Sequence, residues 1–411
     1  MKALVLAGGL PQIKLINELK SRNIETLLAD YYPNPVAKPY ADRFFQISTL
    51  DVEAIADLAK REKVDFLITV CTDQALLTVA RVSEELGLPC YIDYKTALDV
   101  TNKQYMKEVF IKNNISTARY IVLDKFNETE ISDFTYPLIV KPVDCNSSKG
   151  VKKVENLSEL RLAFDEAVQM SRTKTAIIET FIQGKEYSVD VYVENGVANV
   201  LNVSELEKIP EKDKFVIFRS ACLGNVSEFI NQKIQYTAQQ IVDAFCLKNS
   251  PMLIQLMADD SNVYVLEFSA RTGGGEKFRV IESVTGFDVI KAVVDLTLGE
   301  KPSVQKCISD FKYVATEFIY CNPGVFEDVQ GVEYLEKNNI ISNFYLFKWS
   351  GAVFDSIENS GDRVAGFTIC GNSEEELNKK HESVISNLKV LDVNGNDIMR
   401  KDLLPPLNWK G

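Results

Sequence analysis

The chain has 411 residues, 46% hydrophobic and 25% charged, and 58 acidic against 46 basic side chains leave a formal net charge of -12. That length calls for two or three hydrophobic cores, and an acidic chain without a basic stripe excludes a nucleic-acid partner. The 8 cysteines are dispersed with no Cys-x-x-Cys, as expected of a reduced, cytoplasmic enzyme.

The start, MKALVLAGG, reads as a first strand and its turn, with no leader peptide. Ile13, Ile16 and Leu19 follow at helical spacing, then the strand ETLLAD and a helix on Val52, Ile55 and Leu58. The strand DFLITV, a helix on Leu76, Val79 and Val82, and a further strand opening at GLPCY complete the run. Such βαβ alternation predicts an α/β unit over residues 1–101, a parallel sheet with helices on both faces. Gly8-Gly9 with Asp30 partly matches a dinucleotide fingerprint, but Gly-x-Gly-x-x-Gly is not satisfied; a tight turn and a ligand contact both stay open.

From Asn102 the pattern becomes a helix (NKQYMKEVFIKNN), the strands ARYIVL and PLIVKP, a helix on Leu157, Leu160 and Phe164, and the strand AIIETFI. A hairpin, EYSVDVYVENGVANVLNV, turns at Asn195-Gly196, and EKIPEKDKF reads as a mobile loop. A helix around Ile241 to Phe245 precedes a second hairpin, PMLIQLMADDSNVYVLEFSA. Beyond it an α+β segment carries KYVATEFIY, YLFKWS, VAGFTICG and a helix from Glu375 to Leu388. His381, the one histidine, reads as a solvent-facing residue of that helix, which disfavours Ser-His-Asp hydrolysis and a His-ligated zinc. No run approaches the roughly 18 apolar residues of a membrane span.

Three constellations carry chemistry. In PLIVKPVDCNSSKGV a strand delivers Lys141, and the small polar residues after it suit a loop closing over phosphate; it is not a Walker loop. A solvated surface loop is the plainer reading. In the second hairpin, a turn centred on Asp260 sets Gln255 opposite Val265 and diagonal to Glu267, within reach of one shared cation. An edge strand with an ion-paired glutamate is the alternative. In SARTGGGEKFRVIESVTG, three glycines lead into a helix beginning near Glu276, and Arg271 is placed to face a phosphoryl group. The glycines can equally serve close packing, with Arg279 paired to Glu276 or Glu282.

The ordered set NKQYMKEVF, VKPVDCNSSKGV, IIETFIQGKEYSVDV, Gln255 and LEFSARTGGG resembles the ATP-grasp superfamily, through the whole chain. The resemblance implies a preATP-grasp, Rossmann-like domain (1–101), nucleotide-binding domains (102–310, with 115–180 a small lid) and a C-terminal α+β subdomain (311–411). It implies ATP with Mg2+ or Mn2+. Lys103 and Lys141 would contact phosphates; Ser147, Ser148 and Gly150 would cover them. Glu179, Phe181 and Ile182 would meet the adenine edge, and Glu186 the ribose. Gln255, Glu267 and Ser269 would hold metal, while Arg271 and Lys141 act in catalysis. Gln255 departs from the commoner glutamate, and Ser269 stands where many members carry asparagine. The implied activity is carboxylate–amine ligation through an acyl phosphate, on small carboxylates and amines such as amino acids, in a possible homodimer. Bicarbonate activation and a non-catalytic ATP-binding regulatory module are the competing readings. The loop from Lys208 to Lys214, Arg279 and the turn at Gly8 are expected to face substrate.

Overall fold

A computed structural model describes residues 1–145, 149–211, 214–305 and 311–409. The first four strands, β1 (Lys2–Leu6), β2 (Glu25–Asp30), β3 (Arg43–Gln46) and β4 (Phe66–Ile68), form a parallel sheet ordered β3-β2-β1-β4. Side chains alternate across it. Leu4 and Leu6 pack with Ile55, Leu58 and Val79, while Ala3 and Val5 pack with Leu15, Ile16 and Leu19. The expected strand at GLPCY does not form; Pro89 to Tyr91 are irregular, and the fourth parallel strand is the short RFFQ, whose polar ends and half-exposed side chains hid it. At the first turn, Asp30 Oδ2 accepts from Gly8 N at 2.7 Å, and a Cβ on Gly8 would meet Pro35. The glycine there serves a tight turn.

A second sheet holds β5 (Tyr120–Leu123), β6 (Leu138–Pro142), β7 (Lys152–Val154) and β8 (Ala176–Thr180), antiparallel and ordered β5-β8-β6-β7. The helix Leu157–Met170 lays Leu160, Ala163 and Phe164 on its inner face, as the period of 3.6 directs.

The next strands are β9 (Lys185–Glu194), β10 (Val197–Lys208), β11 (Ile217–Cys222), β12 (Ser250–Ala258) and β13 (Val263–Ser269). The C-terminal ones are β14 (Tyr313–Ile319), β15 (Gly324–Gln330), β16 (Asn343–Leu346), β17 (Val353–Phe354), β18 (Ala365–Gly371) and β19 (Lys389–Asp392). Eight of these make one sheet, ordered β13-β12-β9-β10-β11-β14-β18-β16, so the two hairpins and the C-terminal strands β14, β16 and β18 share one hydrogen-bonded ladder. Asn195 and Gly196, both at positive φ, turn β9 into β10 as their sequence predicts. The loop EKIPEKDKF has paired stems: Lys208 partners Ile217, and Ile209 N donates to Val216 O.

His381 corrects the expectation of a solvated residue. On the helix Glu374–Asn387 it shares the inner face with Leu377 and Val384, is 2% exposed, and its Nδ1 lies 3.0 Å from Glu317 Oε1. No helix of the described residues is long and apolar enough to cross a membrane.

Candidate functional site

The helix Lys103–Lys112 is started by Asn102, whose side chain accepts from Gln104 N and Tyr105 N. Lys103 and Lys107, one turn apart, both fall on its buried face beside Met106 and Phe110. On the small sheet Lys141 partners Ile177 and Glu179 partners Ile139, so Lys141 and Glu179 are diagonal neighbours on one face. Glu179 binds both lysines, Lys141 Nζ at 2.6 Å and Lys107 Nζ at 2.6 Å. Burial alone would raise the Glu179 carboxyl, but the two ammonium groups outweigh it and hold the group at about 2. Burial wins at Lys107, pulling its ammonium below the ordinary range. The Glu179 side chain therefore serves the lysines, a role the sequence reading did not assign to it.

The second hairpin brings the other half. A β-bulge between Gln255 and Leu256 sets Gln255 directly opposite Glu267, while Leu256 partners Val265. The expected diagonal relation of Gln255 to Glu267 is thus corrected to a direct one. Glu267 lies on an edge strand and pairs with Lys103 at 3.0 Å, and Lys103 Nζ also donates to Cys145 O at 2.8 Å. Burial opposes the Lys103 charge, yet Glu267 and its acidic neighbours keep that ammonium above its usual value. At the start of β9, Glu186 pairs with Lys208 at 2.5 Å, and Lys208 covers the Phe215 ring.

These groups surround a cavity of about 360 Å3. Lys103, Lys141, Glu179, Phe181, Ile182, Glu186, Gln255 and Glu267 all line it, together with Lys208, Phe215 and Ser360, which the sequence reading did not place there as nucleotide contacts. Gly150 packs on Pro142 and Met170 and does not line the cavity, and Ser147 and Ser148 lie outside the described residues. Ser269 and Arg271 do not line the cavity. Arg271 Nε donates to Asp73 Oδ1 at 2.7 Å, its Nη2 pairs with Asp73 Oδ2, and Ser269 Oγ bonds Asp73 Oδ1. Asp73 resists the upward pull of burial because Arg271 holds its carboxyl down. The sequence reading missed Asp73 and Lys107. Their signals were the place of Asp73 just past the carboxyl end of β4 and the one-turn spacing of Lys107 from Lys103.

Chemically, Ile139, Ile182, Met257 and Leu266 give the cavity apolar walls suited to a ring, with Lys103 and Lys141 placed for an anion. Gln255 and Glu267 offer adjacent oxygen donors, which suits a hard divalent cation completed by ligand oxygens. Among the described residues no group of three or more His, Cys, Asp or Glu is placed to hold a metal by itself.

Residues 134–279 match the family described as the ATP-grasp domain. Over that segment the chain is similar to ATP-grasp proteins. It is 24% identical over 249 residues to the formate-dependent phosphoribosylglycinamide formyltransferase of Mannheimia succiniciproducens, a match spanning 59% of this chain and 62% of that one. The L-amino acid ligase from Bacillus licheniformis superposes on this chain with a TM-score of 0.80 at 19% identity, covering 95% of this chain and 98% of that one. The biotin carboxylase domain of the Hydrogenobacter thermophilus 2-oxoglutarate carboxylase, solved with MgADP, ADP and bicarbonate, gives 0.78 at 17% identity, over 98% and 92% of the two chains. The shared property is the ATP-grasp fold.

Proposed function

We propose that the protein is an ATP-dependent carboxylate–amine ligase working through an acyl phosphate. The observation that carries the reading is the cleft itself, which gathers Lys141, the Lys103–Glu267 ion pair and Gln255 on one cavity with apolar walls. In this reading Lys103 and Lys141 contact the phosphates of ATP, and Ser147, Ser148 and Gly150 belong to the loop over them. Phe181 and Ile182 border adenine, and Glu186 takes the ribose hydroxyls. Residues 1–101 form the preATP-grasp domain, 102–310 bind nucleotide with 115–180 as lid, and 311–411 form a C-terminal α+β subdomain.

The substrate carboxylate attacks the γ-phosphorus, ADP leaves, and the amine nitrogen displaces phosphate from the acyl carbon. Nothing in that sequence needs a histidine; the protein supplies position and charge. Gln255 and Glu267 would hold magnesium, which when bound neutralises phosphate charge. Glu267 must first give up Lys103, and Lys103 is then free for phosphate. Arg271 faces the transferring phosphoryl group once it leaves part of its contact with Asp73.

The test is ADP release measured across pairs of amino acids and other carboxylates and amines, with the product identified by mass spectrometry. Glu267→Ala is expected to lower ATP consumption at least a hundredfold, about 3 kcal/mol of barrier. Ordinary turnover by that variant sinks the site assignment.

A further inference from the structure

A second cavity, of about 270 Å3, opens where the helix Leu10–Ser21, the turn at Pro39 and Tyr40, the start of the helix Lys277–Thr285 and β16 meet. The nucleotide reading leaves it without a role. Its walls are apolar and aromatic, with Leu10, Tyr40, Phe344 and Trp349 among them, and one charged pair, Glu276 with Arg279, faces in. The Glu276 side chain is 2% exposed. Its Oε2 accepts from Arg279 Nε at 3.2 Å, and no described residue donates to Oε1.

Two further observations single out Glu276. It follows Gly273, Gly274 and Gly275 and itself takes the left-handed conformation, φ 60 and ψ 21. Glycine would relax that backbone, so the glutamate is kept for its side chain and not for the turn. Arg279 is meanwhile occupied on its far side, its Nη1 reaching Asn343 Oδ1 at 3.4 Å and its guanidinium lying over the Tyr345 ring. A buried carboxylate with one oxygen unserved, in an aromatic cavity, is complementary to a cation carried on an apolar body. Burial pushes the Glu276 carboxyl up, and a bound ammonium would offset that. The position fits the reaction as well, since Glu276 lies five residues past Arg271 on the same glycine-rich turn.

We propose that this cavity holds the amine-bearing substrate, its ammonium against Glu276 and an alkyl or aryl body against Tyr40, Phe344 and Trp349. The proposal rests on the ligase reading for its place in a reaction, but its test does not need turnover. Trp349 lines the cavity, and the other of the 2 tryptophans, Trp409, packs edge-on against Tyr313 elsewhere. Trp349 emission is therefore a direct probe. Phenethylamine and hexylamine are titrated against the full chain without ATP, beside 3-phenylpropionate and ethanolamine, with Trp349→Phe as the signal control.

Saturable shifts with the two apolar amines alone are expected, weakened at least tenfold by Glu276→Gln. Tyr40→Ala, at a half-exposed wall position, should weaken phenethylamine without disturbing the fold and stands in should Glu276→Gln not fold. Equal binding of 3-phenylpropionate, or affinities unmoved by both variants, overturns the proposal. Amine binding without ADP release on any substrate pair overturns the ligase reading and leaves the cavity assignment standing. ADP release with an amine KM unmoved by both variants overturns the cavity assignment and leaves the ligase.

Discussion

Glu179 holds two lysines at once, and its acid behaviour follows from that. Its folded carboxyl sits at about 2 against an ordinary value of 4.5. As pH falls the unfolded chain takes up this proton first, so the stability it confers is full above about 4.5 and is lost on the way down to about 2. Glu179→Gln leaves two ammonium groups facing a neutral amide and should cost about 3–5 kcal/mol at neutral pH. The gap to the wild type should narrow as the pH drops to 3, as read from urea midpoints. Single residues were legible in the sequence where motif order marked them: Lys103, Lys141, Glu186, Gln255 and Glu267 all line the cleft. Lys107 was not, because a lysine in a helix is ordinarily solvated, and its burial is made tolerable by Glu179, remote in sequence, together with Thr117 Oγ1. Asp73 was hidden for the same reason, its partner Arg271 being brought to it by the fold.

At the scale of elements, alternation and turn chemistry placed both hairpins, yet the bulge at Gln255 was invisible. Strand VYVLEF is apolar on both faces, so a one-residue shift leaves no trace in its pattern. The consequence is chemical, since the bulge makes Gln255 and Glu267 direct partners. Gln255→Glu should therefore set two carboxylates face to face and cost roughly 0.2–1 kcal/mol without metal. Magnesium should reverse the sign, giving a Tm that climbs with metal more steeply than in the wild type and a lower magnesium requirement for turnover. The segment between β8 and β9 carries a second constraint. A Cβ on Gly184 would lie 2.2 Å from Ala258 O, so Gly184→Ala must push this strand away from β12. A loss of about 1–3 kcal/mol is expected by denaturant titration. Weaker nucleotide binding should accompany it, because Phe181 and Ile182 move with the segment.

The fold class was legible in outline, from alternating strands and helices at the start, two hairpins and an α+β end. The joining of the last two into one eight-stranded sheet was not, since the pairing of β11 with β14 joins strands far apart in the chain and leaves no local pattern. The same distance effect turned His381 inward, where Glu317, also bound to Arg219, receives it. That sheet has a mechanical meaning. From β13 to β16 every neighbour is stitched by backbone hydrogen bonds, so the hairpin holding Gln255 and Glu267 cannot swing against the C-terminal strands without tearing the ladder. The small sheet of β5 to β8 is fastened across the cleft largely by side chains, Lys107 to Glu179, Lys103 to Cys145 O and Arg172 to Gln74. In hydrogen exchange without nucleotide, amides of β6 and β7 should open well before those of β9 and β12, and magnesium nucleotide should slow the first pair selectively. In the proposed reading Lys103 doubles as a latch, and an arriving nucleotide would compete with Glu267 and Cys145 O for its one ammonium group.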